Sequence, residues 1–129
     1  TDVDHTIKEL GDICWMVAEL CTARGWFLGD LLFPEHWGFK IGQMTNCMDI
    51  AIANGQINGT YQKVLQGHDW DADCVKKNIN EIFARIATLA EFCDTDLDCV
   101  LQTNIEKLKA KYPDGFSADR SLHRADGDV

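Results

Sequence analysis

The chain has 129 residues, 46% of them apolar, and a formal net charge of −9 at pH 7. That length and apolar content suit one folded domain and argue against disorder. The balance of 12 basic against 21 acidic residues excludes nucleic acid as the expected partner, because a duplex binder needs clustered Lys and Arg to neutralise phosphates.

No apolar run approaches the ~18 residues of a membrane span, and no Lys/Arg-led signal peptide is recognisable, so no membrane partner is expected. The cysteines (Cys14, Cys21, Cys47, Cys74, Cys93 and Cys99) show no C-x-x-C spacing, and most fall on apolar helical positions. This points to free thiols in a reducing, cytoplasmic setting. A disulfide framework, or a cysteine-based redox or metal sensor, is the competing use.

In chain order, residues 6–22 read as an amphipathic helix. Leu10, Ile13, Cys14, Val17, Leu20 and Cys21 recur at helical spacing and make one apolar face. Residues 25–40, "GWFLGDLLFPEHWGFK", read as an aromatic connector with one short helix. Its Trp26, Phe27, Leu31, Leu32, Phe33, Trp37 and Phe39 would form a large apolar patch, which predicts association. Residues 41–66 read as a second helix with many amides. Gly55 and Gly59 each cost it about 1 kcal/mol, which leaves open a break or a close helix contact. "GHDWDAD", 67–73, is a loop, with Asp71 or Asp73 as N-cap of a helix over 74–93. That third helix has a core face of Ile79, Ile82, Phe83, Ile86, Leu89, Ala90 and Cys93. A fourth helix covers 97–111, with Leu97, Leu101, Ile105 and Leu108 as its core stripe. Residues 112–121 are a turn and 122–129 a tail. The class is all-α, a four-helix arrangement.

Shifted by 69 residues, the chain matches itself: "DVDHTIKELGDICWMVAEL" (2–20) lies over "DADCVKKNINEIFARIATL" (71–89). Core positions are kept or conservatively changed, as in Leu10/Ile79, Cys14/Phe83 and Val17/Ile86. An internal duplication is expected from this match. The acids do not survive it: Glu9 and Asp12 become Asn78 and Glu81.

Glu9 and Asp12 are the first candidate site. At i and i+3 they project from one side of a helix and could converge on a cation. Mg²⁺ prefers oxygen ligands and is commonly held by a few carboxylates plus substrate phosphates. Spacing alone is a weak signal, because such pairs are common on solvated helix faces. The fourth helix adds Asn104 on or beside its core stripe, with Lys107 and Lys111 at i+3 and i+7. These could line a phosphate pocket, or simply suit a helix C-terminus, where the macrodipole favours lysine.

Two segments together resemble one family, the all-α nucleoside triphosphate pyrophosphohydrolases of the MazG type. "KELGDICWMVAEL" resembles the family's E-x-x-D helix. "LDCVLQTNIEKLKAKYPDGFSADRSLHR" resembles its C-terminal helix and tail, with N-x-x-K-L and Y-P-x-G-F-S patterns. With the region 41–100 the likeness covers about two thirds of the chain in loose register. It implies a four-helix fold that hydrolyses a (d)NTP to (d)NMP and pyrophosphate with Mg²⁺ (or Mn²⁺). By position, Glu9 and Asp12 would be metal ligands and catalytic acids, and Asn104, Lys107 and Lys111 would bind substrate phosphates. A homo-oligomer, dimer or tetramer, is also implied. The family's further acidic motif, E-x-x-E, aligns with Ala53 and Gln56, neither of which is a carboxylate. The expected organisation is therefore one all-α domain over 1–129: a partial N-terminal repeat 1–40, a second, degenerate MazG-like repeat 41–121, and a tail 122–129. A non-catalytic dimerisation or regulatory module on the same fold is the alternative function. It accounts directly for Ala53, Gln56 and Asn78.

Overall fold

A computed structural model describes residues 3–38 and 42–114. The expected tail 122–129, the 115–121 part of the terminal turn, and Phe39 lie outside the described residues. The elements are α1 (Val3–Arg24), two short 3-10 turns (Leu28–Leu31 and Pro34–His36), α2 (Gln43–Leu65), α3 (Ala72–Phe92) and α4 (Leu97–Lys111). Among the described residues there is no strand, and the all-α, four-helix expectation holds.

The helices end where local chemistry stops them. Gly25 at φ +73° and Gly67 at φ +94° take the left-handed conformation just past α1 and α2. Trp26 N–H then donates to Cys21 O at 2.8 Å, and His68 N–H to Lys63 O at 3.0 Å, closing the last turn in each case. Asp94 repeats the device after α3 at φ +56°, without glycine. The starts of α3 and α4 are capped by aspartates. The Asp71 carboxylate accepts from Cys74 N–H at 3.0 Å, and the Asp96 carboxylate from Cys99 N–H at 2.8 Å. The Cys99 bond holds the Asp96 carboxyl below its ordinary range.

The core is built around α3. Val75, Ile79, Phe83, Ile86 and Ala90 are fully enclosed, joined by Leu10, Cys14 and Cys21 of α1, Ala53 of α2 and Val100 of α4. α2 packs chiefly on α3, and α4 chiefly on α1. Gly55 and Gly59 do not break α2, which runs straight through them. The positions paired by the 69-residue shift, Leu10/Ile79 and Cys14/Phe83, are buried in both copies. Any two helices lining one core share that property.

Two expectations are corrected. The connector holds two 3-10 turns rather than one helix, and part of its apolar surface is folded inward. Leu31 is buried, and Trp26, Leu28, Leu32 and Trp37 pack on the core. Asn80 Oδ1 pins the segment, accepting from Phe33 N–H at 2.9 Å and Trp37 Nε1–H at 2.8 Å. Arg85, 3% exposed, adds a bond from Nη2 to Gly38 O at 3.0 Å. Among the described residues Phe27 and Phe33 stay exposed there, so the exposed apolar surface of the connector is smaller than its composition suggests. On α4, Ile105 is 44% exposed, and Val100 and Asn104 take the buried positions. The helix is turned so that its polar residues face α1.

The cysteines divide by burial. Cys14 and Cys21 are enclosed, whereas Cys47 and Cys99 are exposed. Burial pushes the Cys14 thiol up to about 12, and raises Cys21 as well. Under native conditions near pH 8, a thiol reagent should therefore label Cys47 and Cys99 quickly. Cys14 and Cys21 should react only after unfolding. Fast native labelling of Cys14, followed by mass spectrometry of its peptide, would contradict this packing.

Candidate functional site

The α1–α4 seam is built on a glycine. Gly11 is buried, and a Cβ placed on it would lie 2.9 Å from the Cβ of Asn104. Only hydrogen at that position lets α4 come this close. The close approach brings three polar side chains together across more than 90 residues of chain. Lys107 Nζ donates to both oxygens of Asp12, at 2.8 and 3.0 Å. Asn104 Nδ2 donates to Asp12 Oδ1 at 3.2 Å. Both partners of the ion pair are partly withdrawn from water, with Lys107 at 15% and Asp12 at 37% side-chain exposure. Asn104 itself is 5% exposed. It lies in the seam between the two helices with its amide on Asp12.

Beside this triad is a groove of about 230 Å³ lined by Asp12, Trp15, Met16, Lys107, Lys111 and Tyr112, among others. Of the candidate site residues, Asp12, Lys107 and Lys111 therefore share one pocket. Asn104 braces it from below. Glu9 stands apart: it is 60% exposed and lies 3.6 Å from His5 one turn earlier. Among the tryptophans, Trp15 lies at the groove, whereas Trp37 is tied to Asn80. Trp26 faces Lys76, with the ammonium 5.0 Å from the ring centre. Gly11 and Tyr112 were missed by sequence reasoning. The Leu-Gly between two acids was the available signal for the first.

A second pocket of about 330 Å³ lies between α2 and α3. Ala53, Gln56, Asn78 and Glu81 all line it, with Asp49, Lys77 and Asn80. Ala53 and Gln56 are where the family likeness puts E-x-x-E, and Asn78 and Glu81 are the counterparts of Glu9 and Asp12 under the 69-residue shift. Of these four only Glu81 is a carboxylate, and Arg85 Nε stands 3.5 Å from its Oε1. Asn78 turns its amide back on its own helix, donating from Nδ2 to Cys74 O at 2.8 Å.

Neither pocket suits a hard divalent cation as it stands. Mg²⁺ holds to anionic oxygens, and usually to several at once when substrate phosphates are included. Asp12 is already engaged on both oxygens by an ammonium, and Glu9 points to a separate, exposed environment. No group of three or more His, Cys, Asp or Glu converges among the described residues. The groove presents an ammonium held at a fixed position by Asp12, a second lysine one turn on, and aromatic walls.

No family model, no curated protein and no solved structure matches the chain.

Proposed function

We propose that this chain is a MazG-like helical domain that binds the phosphates of a nucleoside triphosphate in the α1–α4 groove. One observation carries the reading. The two segments that resemble the family, E-x-x-D and N-x-x-K, are separated by most of the chain, yet Asp12, Asn104 and Lys107 touch. Chain order does not require this, since α4 follows directly on α3 and could have packed mainly there. The α2–α3 pocket adds support, because Ala53 and Gln56, where the likeness puts E-x-x-E, line one cavity with Asn78 and Glu81, the counterparts of Glu9 and Asp12. In the groove, Lys107 and Lys111 face phosphate oxygens, and Trp15 and Tyr112 offer apolar walls to sugar or base.

Hydrolysis of a (d)NTP to (d)NMP and pyrophosphate, with Mg²⁺ or Mn²⁺, is the activity that the likeness implies. It needs carboxylates in addition to Glu9 and Asp12, supplied from outside residues 1–129 or by a second copy of this chain. The reading of a non-catalytic regulatory or dimerisation module is favoured by a specific observation: Ala53, Gln56 and Asn78 stand where acids are needed. The buried thiols suit the reducing cytoplasm in either case.

A panel of nucleoside and deoxynucleoside triphosphates separates the two. Pyrophosphate release that needs a divalent cation and is lost in Asp12→Asn supports the enzyme. Binding of a non-hydrolysable triphosphate analogue at micromolar Kd, with no release, supports the module. Absence of both removes the nucleotide reading altogether.

A further inference from the structure

α2 is unlike the rest of the surface. Charged residues make up 26% of the chain, but only Asp49 and Lys63 are charged in the 23 residues of α2. Asp49 lines the α2–α3 pocket. The outer side of the helix carries Met44, Met48 and Ile52, exposed to 73%, 56% and 57%. A helix that is apolar on more than its core face is normally covered. Within the chain α2 packs chiefly on α3, which covers one side only.

The order of large and small residues along that outer face is specific. Met44, Met48, Ala51, Ile52, Gly55 and Gly59 fall within about 100° of the helix circumference at 3.6 residues per turn. The large side chains stand toward the N-terminus and the glycines toward the C-terminus. A Cβ placed on Gly55 or Gly59 meets nothing within 4 Å, so the glycines open onto free space rather than onto α3. Now set a second α2 antiparallel, about a two-fold axis between residues 51 and 52. Met44 then faces Gly59 of the second copy, Met48 faces its Gly55, and Ile52 faces its Ala51. Each large residue meets a small one, and each pairing occurs twice. The same two-fold relation is what an isologous dimer requires.

We propose that α2 is the face through which two copies of this chain associate, antiparallel and in that register. A second copy is the occupant because the face is self-complementary in shape and bears no charge. A chain of net charge −9 repels its own copy on average, and this uncharged stripe is where that repulsion is least. A strongly basic partner would find nothing on this stripe to pair with. The area sets the strength. A helix of 23 residues is about 35 Å long, and a strip about 10 Å wide covers roughly 350 Å² per copy. A standard interface buries about 800 Å² per partner, so the dimer should be weak, with a Kd on the order of 10 μM. Ile52 also edges the α2–α3 pocket, so the second copy stands at the rim of that cavity. The proposal does not depend on nucleotide binding.

The test is sedimentation equilibrium of the whole chain, under reducing conditions, from about 1 to about 500 μM. The expected result is a monomer of 14.5 kDa at the low end and a dimer at the high end. Added salt should tighten it, because it screens repulsion between two acidic copies. Gly55→Glu should weaken association at least thirtyfold. It should leave the melting temperature of the monomer equal or higher, since glutamate is the better helix former and its Cβ has room. Met48→Glu should dissociate the dimer too, and Met48→Glu with Gly55→Lys should restore it through two new ion pairs between copies. A monomer at every concentration overturns the proposal, whether α2 is then covered by residues 115–129 or by nothing. So does a dimer that survives Gly55→Glu. Failure of the double variant to restore the dimer overturns the register.

Discussion

Gly11→Leu is expected to force α1 and α4 apart and to cost about 3 kcal/mol of stability. The reason is local. The first carbon of any side chain at position 11 would sit 2.9 Å from the Asn104 Cβ, closer than carbon atoms pack. Neither atom is the flexible end of a long side chain. One helix must shift, and the shift withdraws Lys107 and Asn104 from Asp12. Even Gly11→Ala should destabilise by about 1 kcal/mol, although alanine is the better helix former by nearly that amount. Gly55→Ala makes the internal control. It has the same change in propensity, no neighbour within 4 Å, and an expected gain in monomer stability. Urea unfolding of the three variants at a concentration where the chain is monomeric reads out the signs. A Gly11→Leu variant as stable as the parent would mean that the seam is not packed as described.

The helices were legible in the sequence because apolar spacing is a local signal. Six of the seven core positions expected on α3 are buried, namely Ile79, Ile82, Phe83, Ile86, Leu89 and Ala90, whereas Cys93 is the half-buried C-cap just past the helix. The rotation of α4 was not legible. Its apolar stripe ran through Ile105, but that residue faces out, because Asn104 and Lys107 are drawn to a carboxylate 92 and 95 residues away. Hydrophobic periodicity cannot register an ion pair between distant helices. The same blindness hid Asn80 and Arg85. Neither residue stands out in the sequence, since each is one of several polar side chains on an amphipathic helix. In fact their side chains anchor the connector by satisfying its Phe33 N–H and Gly38 carbonyl. The candidate site was half legible. Residue types and spacing drew attention to Asp12, Lys107 and Lys111, which share a groove, but gave no reason to separate Glu9 from them or to place Asn104 inside the seam.

Asp12→Asn is expected to change anion binding in opposite directions with and without a divalent cation, depending on what Asp12 does. In the chain as it stands, Asp12 neutralises Lys107 from 2.8 Å. A phosphate that binds Lys107 must compete with that carboxylate, and the carboxylate also repels it. Replacing the carboxylate by its neutral amide keeps the shape and an acceptor oxygen, and frees the ammonium. Without divalent ions, Asp12→Asn should therefore bind inorganic pyrophosphate or a triphosphate about tenfold tighter, roughly 1.4 kcal/mol. Its free form should be less stable by about 1–2 kcal/mol, because Lys107 is left mostly buried with no counter-charge. Saturating pyrophosphate should recover that loss by mass action. Lys107→Met should weaken the same ligands about tenfold or more under all conditions. If Asp12 instead holds a divalent cation on the triphosphate, Mg²⁺ should strengthen binding to the parent chain and have no effect on Asp12→Asn. Calorimetric titration of parent, Asp12→Asn and Lys107→Met, each with Mg²⁺ and with a chelator, distinguishes the two roles. Weaker binding of pyrophosphate by Asp12→Asn in the chelator, with Lys107→Met unchanged, would remove the groove as an anion site.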